Sequence, residues 1–211
     1  MTQVLSSYYF TRKYLSLDRF ISYFYQTDAI QEMNPKNVLF IGVGDNIVPN
    51  FLKQNKSYKI TTLDFDPKLN PDVVGDIRLL PFPNKSFDMV CAFEVLEHVP
   101  FNEAKDALKE MARVSSRSVI MSVPHRRTGF EVVVKFPFIR SLLKKDFLRL
   151  AIHLPVRFPG FTISGQHYWE IDGYNTHLKE VREALRANFD INKEITPVLD
   201  FYKRFFYLTV I

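Results

Sequence analysis

Two glycines and one acid set the chemistry open to this chain. The run Val38-Leu39-Phe40-Ile41-Gly42-Val43-Gly44-Asp45 is an apolar stretch that enters a glycine turn. Asp64 follows twenty residues after Gly44, at the end of a second apolar run, Tyr58–Leu63. Glycines let the backbone approach a ligand in conformations that other residues avoid. A carboxylate at that spacing accepts hydrogen bonds from both hydroxyls of a ribose, so the pattern is that of a nucleoside-binding βαβ unit. The third glycine preferred by a dinucleotide fold would fall at Ile47, which argues against a nicotinamide-dependent oxidoreductase. Glu94 ends a later apolar run. His98, His125 and His167 are three candidate general bases, because imidazole titrates near neutral pH.

Four further motifs follow in order: Gly75-Asp76-Ile77, Leu80-Pro81-Phe82-Pro83, Ser86-Phe87-Asp88-Met89-Val90 and Phe93-Glu94-Val95-Leu96-Glu97-His98-Val99. In this order and spacing the chain resembles the class I S-adenosylmethionine-dependent methyltransferases, nearest their small-molecule branch. The likeness covers residues 36–124 in detail. It implies S-adenosylmethionine as cofactor. Asp64 would take the ribose hydroxyls, Asp76 the adenine amino group, and Ile77 would offer its backbone N–H to the ring. Phe65 could lie against the adenine face. Gly42 and Gly44 would let the backbone reach the methionine end, and Glu94 would face that end or the acceptor. The family usually carries an acid two residues before the first glycine. Here that residue is Phe40, and Asp45 or Glu94 would stand in for it.

Methyl transfer from a sulfonium is an in-line displacement, for which a protein supplies alignment and a dry site. A hydroxyl acceptor also needs a base. The expected function is transfer to a small-molecule or lipid- or sugar-linked acceptor, at oxygen. The alternative is a non-catalytic binding or scaffold protein on the same fold. His98 belongs to the motif after the fourth strand, His125 follows the fifth, and His167 lies in Gly165-Gln166-His167-Tyr168-Trp169-Glu170-Ile171 with the chain's one tryptophan. The sequence does not rank the three.

These residues need an α/β frame. Strands are expected at Asn37–Ile41, about 58–63, 72–75, Ser86–Phe93 and Ser118–Val123, with a last antiparallel pair at 188–195 and 203–210. Helices are expected after Asp45 or Asn46, after an Asn102 cap, and after a Thr176 cap. The alternation predicts a Rossmann-like three-layer sandwich with a seven-stranded, mainly parallel sheet and an inserted cap. We expect a single domain over 1–211, with a helical segment at 1–35 and a basic, apolar insertion at 125–172. In the first segment Leu17, Phe20, Ile21 and Phe24 recur at helical spacing. Packing against the sheet edge and a lid over the site both fit that segment.

The 211 residues carry a net charge of +5, and residues 126–160 hold eight bases against two acids. The basic character thus belongs to the insertion and not to the fold. Ile139, Leu142, Leu143, Phe147 and Leu150 read as one apolar helical stripe, with Arg140, Lys144, Lys145 and Arg149 mostly elsewhere. Three accounts fit: a cap with a solvated basic face, a basic amphipathic helix lying on an anionic membrane surface, or a site for an anionic acceptor. Nucleic acid is not expected as partner. The Pro-Pro-aromatic motif of amino methylation is replaced by Phe93-Glu94-Val95-Leu96. The cytosine C5 reaction needs a nucleophilic cysteine, usually after proline, whereas Cys91 follows Val90. One cysteine excludes an internal disulfide, and no metal site is expected. No signal peptide is visible, and no apolar run reaches the ~18 residues of a membrane span. The expected location is the cytoplasm, with peripheral contact to the inner face of the membrane through 126–160.

Overall fold

The protein was analysed as a computed structural model, which describes residues 8–9, 11–12, 14–154, 166–173 and 176–211. Residues 1–7 of the expected N-terminal segment, and residues 155–165 of the insertion with Arg157 and Gly165, lie outside the described residues. The apolar runs form the strands β1 (Asn37–Ile41), β2 (Lys59–Asp64), β3 (Val73–Val74), β4 (Phe87–Phe93) and β5 (Ser115–Pro124). Two more, β8 (Phe189–Ile195) and β9 (Lys203–Val210), complete a seven-stranded sheet of order β3-β2-β1-β4-β5-β9-β8. The pairs β1–β2, β1–β4, β2–β3 and β4–β5 are parallel, while β9 runs antiparallel to both its neighbours. The expected α/β sandwich with a mainly parallel sheet is therefore observed.

Alternation along the strands builds two cores. Leu39, Ile41, Val90, Ala92, Val119 and Met121 face one side, where α3 (Phe101–Val114) and α5 (Leu178–Arg186) pack. Val38, Phe40, Met89, Cys91, Phe93 and Ile120 face the other, beneath α1 (Leu17–Met33) and α2 (Ile47–Lys53). Strand order reverses where β1 and β4 lie side by side. Open α/β sheets hold their ligands outside the carboxyl ends of strands at such a point.

Several local expectations are corrected. Helix α3 is capped at Pro100, not Asn102, and α5 at His177, not Thr176. The apolar stripe of α1, for which packing and a lid were both open, is turned outward: Leu17, Phe20 and Phe24 are exposed, and Ser22, Tyr23, Gln26, Ala29 and Ile30 are buried. The small Ser22 and Ala29 let the helix sit close to the sheet, whereas the phenylalanine face would hold it away.

The stripe at 139–150 is not one helix. Helix α4 stops at Ile139–Leu143, and β7 (Leu148–Leu154) pairs antiparallel with β6 (Thr128–Val134) as a separate hairpin. Its register sets Phe130 opposite Ile152, Val132 opposite Leu150 and Val134 opposite Leu148. All six are exposed on one face. The other face, with Glu131 and Arg149, is turned to the body: Arg149 donates to the carbonyls of Thr196 and Pro197, both at 3.0 Å, and the Leu199 N–H donates to Glu131 at 3.0 Å. Among the described residues, no helix is long and apolar enough to cross a membrane.

Candidate functional site

The glycine turn leaves β1 in a conformation that needs glycine. Gly42 has φ +83°, and a Cβ there would lie 2.4 Å from Val95 Cγ2. Gly44 has φ +56°, and a Cβ there would make only ordinary van der Waals contact, with Tyr9 at 3.6 Å and Tyr14 at 3.7 Å. Asp64, at the end of β2, fixes the turn from outside. Its Oδ2 accepts from the Val43 N–H at 2.7 Å and its Oδ1 from the Asp66 N–H at 2.9 Å. Each oxygen keeps a free lone pair. Burial pushes the Asp64 carboxyl above the usual carboxylate range, and the backbone donors of Asp66, Val43 and Phe65 oppose that rise.

At the end of β4, Glu94 takes a left-handed backbone, φ +54°. This is costly for a residue with a side chain, and such strain clusters at functional sites. Two bonds to β5 hold it. The Glu94 N–H donates to the Ser122 carbonyl at 3.0 Å, and Ser122 Oγ donates to Glu94 Oε1 at 2.7 Å. Burial raises the Glu94 carboxyl, with the Lys203 ammonium opposing. A short 3-10 turn, Leu96–His98, carries Glu97 and His98 beyond it.

The segment 166–171 docks onto that turn. The Trp169 indole N–H donates to the carbonyls of Leu96 and Val99, at 3.0 and 3.1 Å, and the Tyr168 N–H donates to the Glu97 carbonyl at 2.8 Å. His167 is thereby brought beside His98, with ring centroids 5.0 Å apart. Burial lowers the His98 pKa, so its ring is neutral at pH 7.

One cavity of about 500 Å³ joins these parts, within the range of small-ligand sites. Gly42, Gly44, Asp45, Asp64, Phe65, Ile77, Glu94, His98 and His167 all line it. Two expected site residues are turned elsewhere. Asp76 does not line the cavity; its carboxylate accepts from Arg78 Nε at 2.9 Å, and Arg78 also pairs with Glu103. An arginine two residues on outcompetes an open crevice for the carboxylate, and holds it below the usual range. His125 is 2 % exposed and also outside the lining. Arg204 Nε donates to its Nδ1 at 3.0 Å, so its Nε2–H faces Asp172 at 2.8 Å. Burial and the neighbouring Arg127 lower its pKa to about 4. Its position after β5 suggested a base; its partners make it a buried tie between strands and insertion.

Other lining residues went unread in the sequence. Arg19 of α1 stacks on Tyr14, 4.3 Å from the ring centroid, and enters the cavity with Tyr9, Tyr14 and Tyr23. The Tyr23 hydroxyl donates to Asp45. Ser16, which caps α1, is a legible start signal, but nothing local tells which face meets the sheet. Glu97, in the quoted motif three residues after Glu94, was findable and was missed. Tyr202 and Lys203, from the end of β9, complete the wall.

Residues 39–122 match the family described as methyltransferase domain. No curated protein matches the chain. Solved structures with this fold include magnesium protoporphyrin IX methyltransferase from Synechocystis with bound S-adenosylhomocysteine, at 18 % identity and TM-score 0.63, covering 99 % of this chain and 89 % of that one. A SAM-dependent methyltransferase from Aquifex aeolicus is similar at 15 % identity and TM-score 0.60, covering 99 % of this chain and all of that one. The N-methyltransferase NodS from Bradyrhizobium japonicum is similar at 10 % identity and TM-score 0.57, covering 92 % of this chain and 88 % of that one. The chain thus matches a methyltransferase domain over residues 39–122 and shares its fold with solved S-adenosylmethionine-dependent methyltransferases.

Proposed function

We propose that the protein methylates a hydroxyl oxygen of a small, apolar or lipid-linked acceptor. The observation that carries this reading is one cavity with nucleoside-type groups at one end and two histidines at the other. The residues fit S-adenosylmethionine. Gly42 and Gly44 bare the backbone, and the Asp64 oxygens keep lone pairs for two ribose hydroxyls. When bound, the cofactor supplies a methyl group already activated on sulfur.

The chain's residues then bind, orient and dry the site. Phe65 covers one adenine face, and the Ile77 backbone offers its N–H to the ring. Asp76 would reach the adenine amino group only by leaving Arg78. With Phe40 buried against Phe93, Glu94 and Asp45 serve the ammonium group. Arg19 is the cation for the carboxylate of the methionine end. The tyrosines around Arg19 exclude water. His98 and His167 stand at the acceptor end, where an imidazole can take up a hydroxyl proton.

The acceptor's apolar character is supported by the hairpin. Its six exposed apolar side chains continue into Phe138 and Leu142, which are 77 % and 76 % exposed, and Lys135, Arg140, Lys144 and Lys145 are spaced among them. Apolar faces this large mark interaction sites, and the cations suit an anionic membrane surface.

Calorimetric titration with S-adenosylhomocysteine, with Asp64→Ala as control, tests the cofactor end. Transfer of a labelled methyl group to apolar alcohols, phenols and amines tests the acceptor end. Label entering amines alone would sink the oxygen assignment.

A further inference from the structure

Three hydrogen-bond acceptors converge at the histidine end of the cavity. Glu97 is 0 % exposed, and among the described residues neither of its carboxylate oxygens has a hydrogen-bond partner. His98 Nδ1 lies 2.9 Å from the Gln166 carbonyl oxygen, and His167 Nδ1 lies 2.8 Å from Glu170 Oε1. Both of those partners only accept, so each ring carries its proton on Nδ1 and a lone pair on Nε2. One ligand atom from each of Glu97, His98 and His167 lies within 4.8 Å of the other two. A buried carboxylate beside two imidazoles, without a donor among the described residues, calls for a positive centre.

We propose that Glu97, His98 and His167 bind one divalent first-row transition-metal ion, such as Zn²⁺, at the acceptor end of the cavity. Two imidazoles and a carboxylate are a common open set for such ions, leaving a position for an exogenous oxygen. The outer partners are of the usual kind. Glu170 orients His167 through Nδ1, and Arg126 Nε donates to Glu170 at 3.1 Å. The frame is rigid where it must be, because Trp169 and Tyr168 pin the His167 segment to the turn that carries Glu97 and His98. Ligand atoms around an ion at ~2.1 Å stand ~3.4 Å apart, so closure asks for side-chain shifts on the order of an ångström.

The inference deepens the acceptor reading above and rests on it. The ion would hold the acceptor hydroxyl and lower its pKa, and the hydroxyl proton would leave to water. His98 and His167 are then ligands, not bases. The competing state is Glu97 kept protonated with no ion.

The test uses full-length, tag-free protein stripped with a chelator. Titration with Co²⁺ alone should give visible d–d bands that saturate at one equivalent and vanish on adding Zn²⁺. Glu97→Gln and His167→Ala, on separate segments, should each weaken Co²⁺ binding by more than ~100-fold. Both should still bind S-adenosylhomocysteine, which shows that they fold and keeps the two proposals apart. Absence of Co²⁺ binding by the wild type would overturn the ion site, as would binding that both variants retain. Normal Co²⁺ behaviour without nucleoside binding would support the ion site and overturn the methyltransferase reading of the cavity.

Discussion

Replacing Asp64 by asparagine should separate affinity from stability. The carboxylate accepts two backbone N–H groups, from Val43 and Asp66, and in the proposed complex two ribose hydroxyls as well. A hydrogen bond to a charged group contributes ~1.5–3 kcal/mol, and one between neutral groups about 1 kcal/mol. Asparagine keeps one oxygen at neutral strength and turns an NH₂ toward the second hydroxyl. The expected loss is ~3 kcal/mol, or ~100-fold in Kd for S-adenosylhomocysteine.

Folding stability should respond differently. Burial raises the Asp64 pKa above its unfolded value. The ionised group therefore opposes folding at neutral pH, and this cost fades as pH falls below the folded pKa. Removing the charge relieves the cost, while the amide leaves one backbone donor unmatched. The two effects should cancel to within about 1 kcal/mol. Calorimetry gives the affinity and thermal unfolding at pH 7.5 gives the stability. An Asn variant that unfolds like the wild type and binds within about threefold of it would refute the assignment of Asp64 to the ribose.

Gly42→Ala should destabilise by several kcal/mol, from positive φ plus the Val95 contact. Gly44→Ala should cost only about 1 kcal/mol, because the positive φ there is joined by no clash; denaturant titration of both gives the order. His125 holds a folded pKa of about 4 against ~6.5 unfolded, so its contribution is complete above ~6.5 and lost as pH falls toward 4. Wild type should lose up to about 3 kcal/mol across that window relative to His125→Gln, measured by unfolding at each pH. Trp169→Phe removes the indole donor from the carbonyls of Leu96 and Val99, and the Leu96 carbonyl retains the Val99 N–H at 3.3 Å; the variant should cost ~1–3 kcal/mol, read from denaturant midpoints. Val132→Asp with Leu150→Asp, an exposed cross-strand pair, should leave the melting temperature unchanged. The pair should abolish sedimentation with anionic vesicles, and wild-type sedimentation should weaken as salt is raised.

The parallel half of the sheet was legible because its signals are local. Apolar runs bounded by glycine or proline gave β1, β2 and β4 within a residue or so of their observed ends. The hairpin was not, although Phe130, Val132 and Val134 alternate. Val133 fills the gap with another apolar residue, and 139–150 offers a competing helical period. Periodicity locates an apolar face but not what the face meets. For that reason the sequence leaves the stripe on α1 open between packing and a lid, and its Leu17, Phe20 and Phe24 are exposed. The helix is held by its less apolar side, since Ser22 and Ala29 allow a close approach that Phe20 and Phe24 do not.

Within the site, the division runs between residues fixed by their own turn and residues fixed by distant ones. Gly42, Gly44 and Asp64 are set by adjoining strand ends that share one hydrogen-bonded turn, and their spacing alone identified them. Asp76 and His125 occupy equally plausible positions along the chain. Their side chains are claimed by Arg78 in one case, and by Arg204 and Asp172 in the other. A charged partner at 2.8–3.0 Å decides orientation more strongly than nearness to a strand end. The reverse holds for His167. Its neighbour Trp169 reaches back 73 residues in sequence to Leu96, and that bond sets the ring against His98. Of three histidines alike in the sequence, two meet because a tryptophan bridges a turn and a returning segment. The third is withdrawn because arginines from β9 and from its own strand's end surround it. A buried Glu97 without a donor is the cost of bringing the first two together, and a bound cation is the arrangement that would remove it.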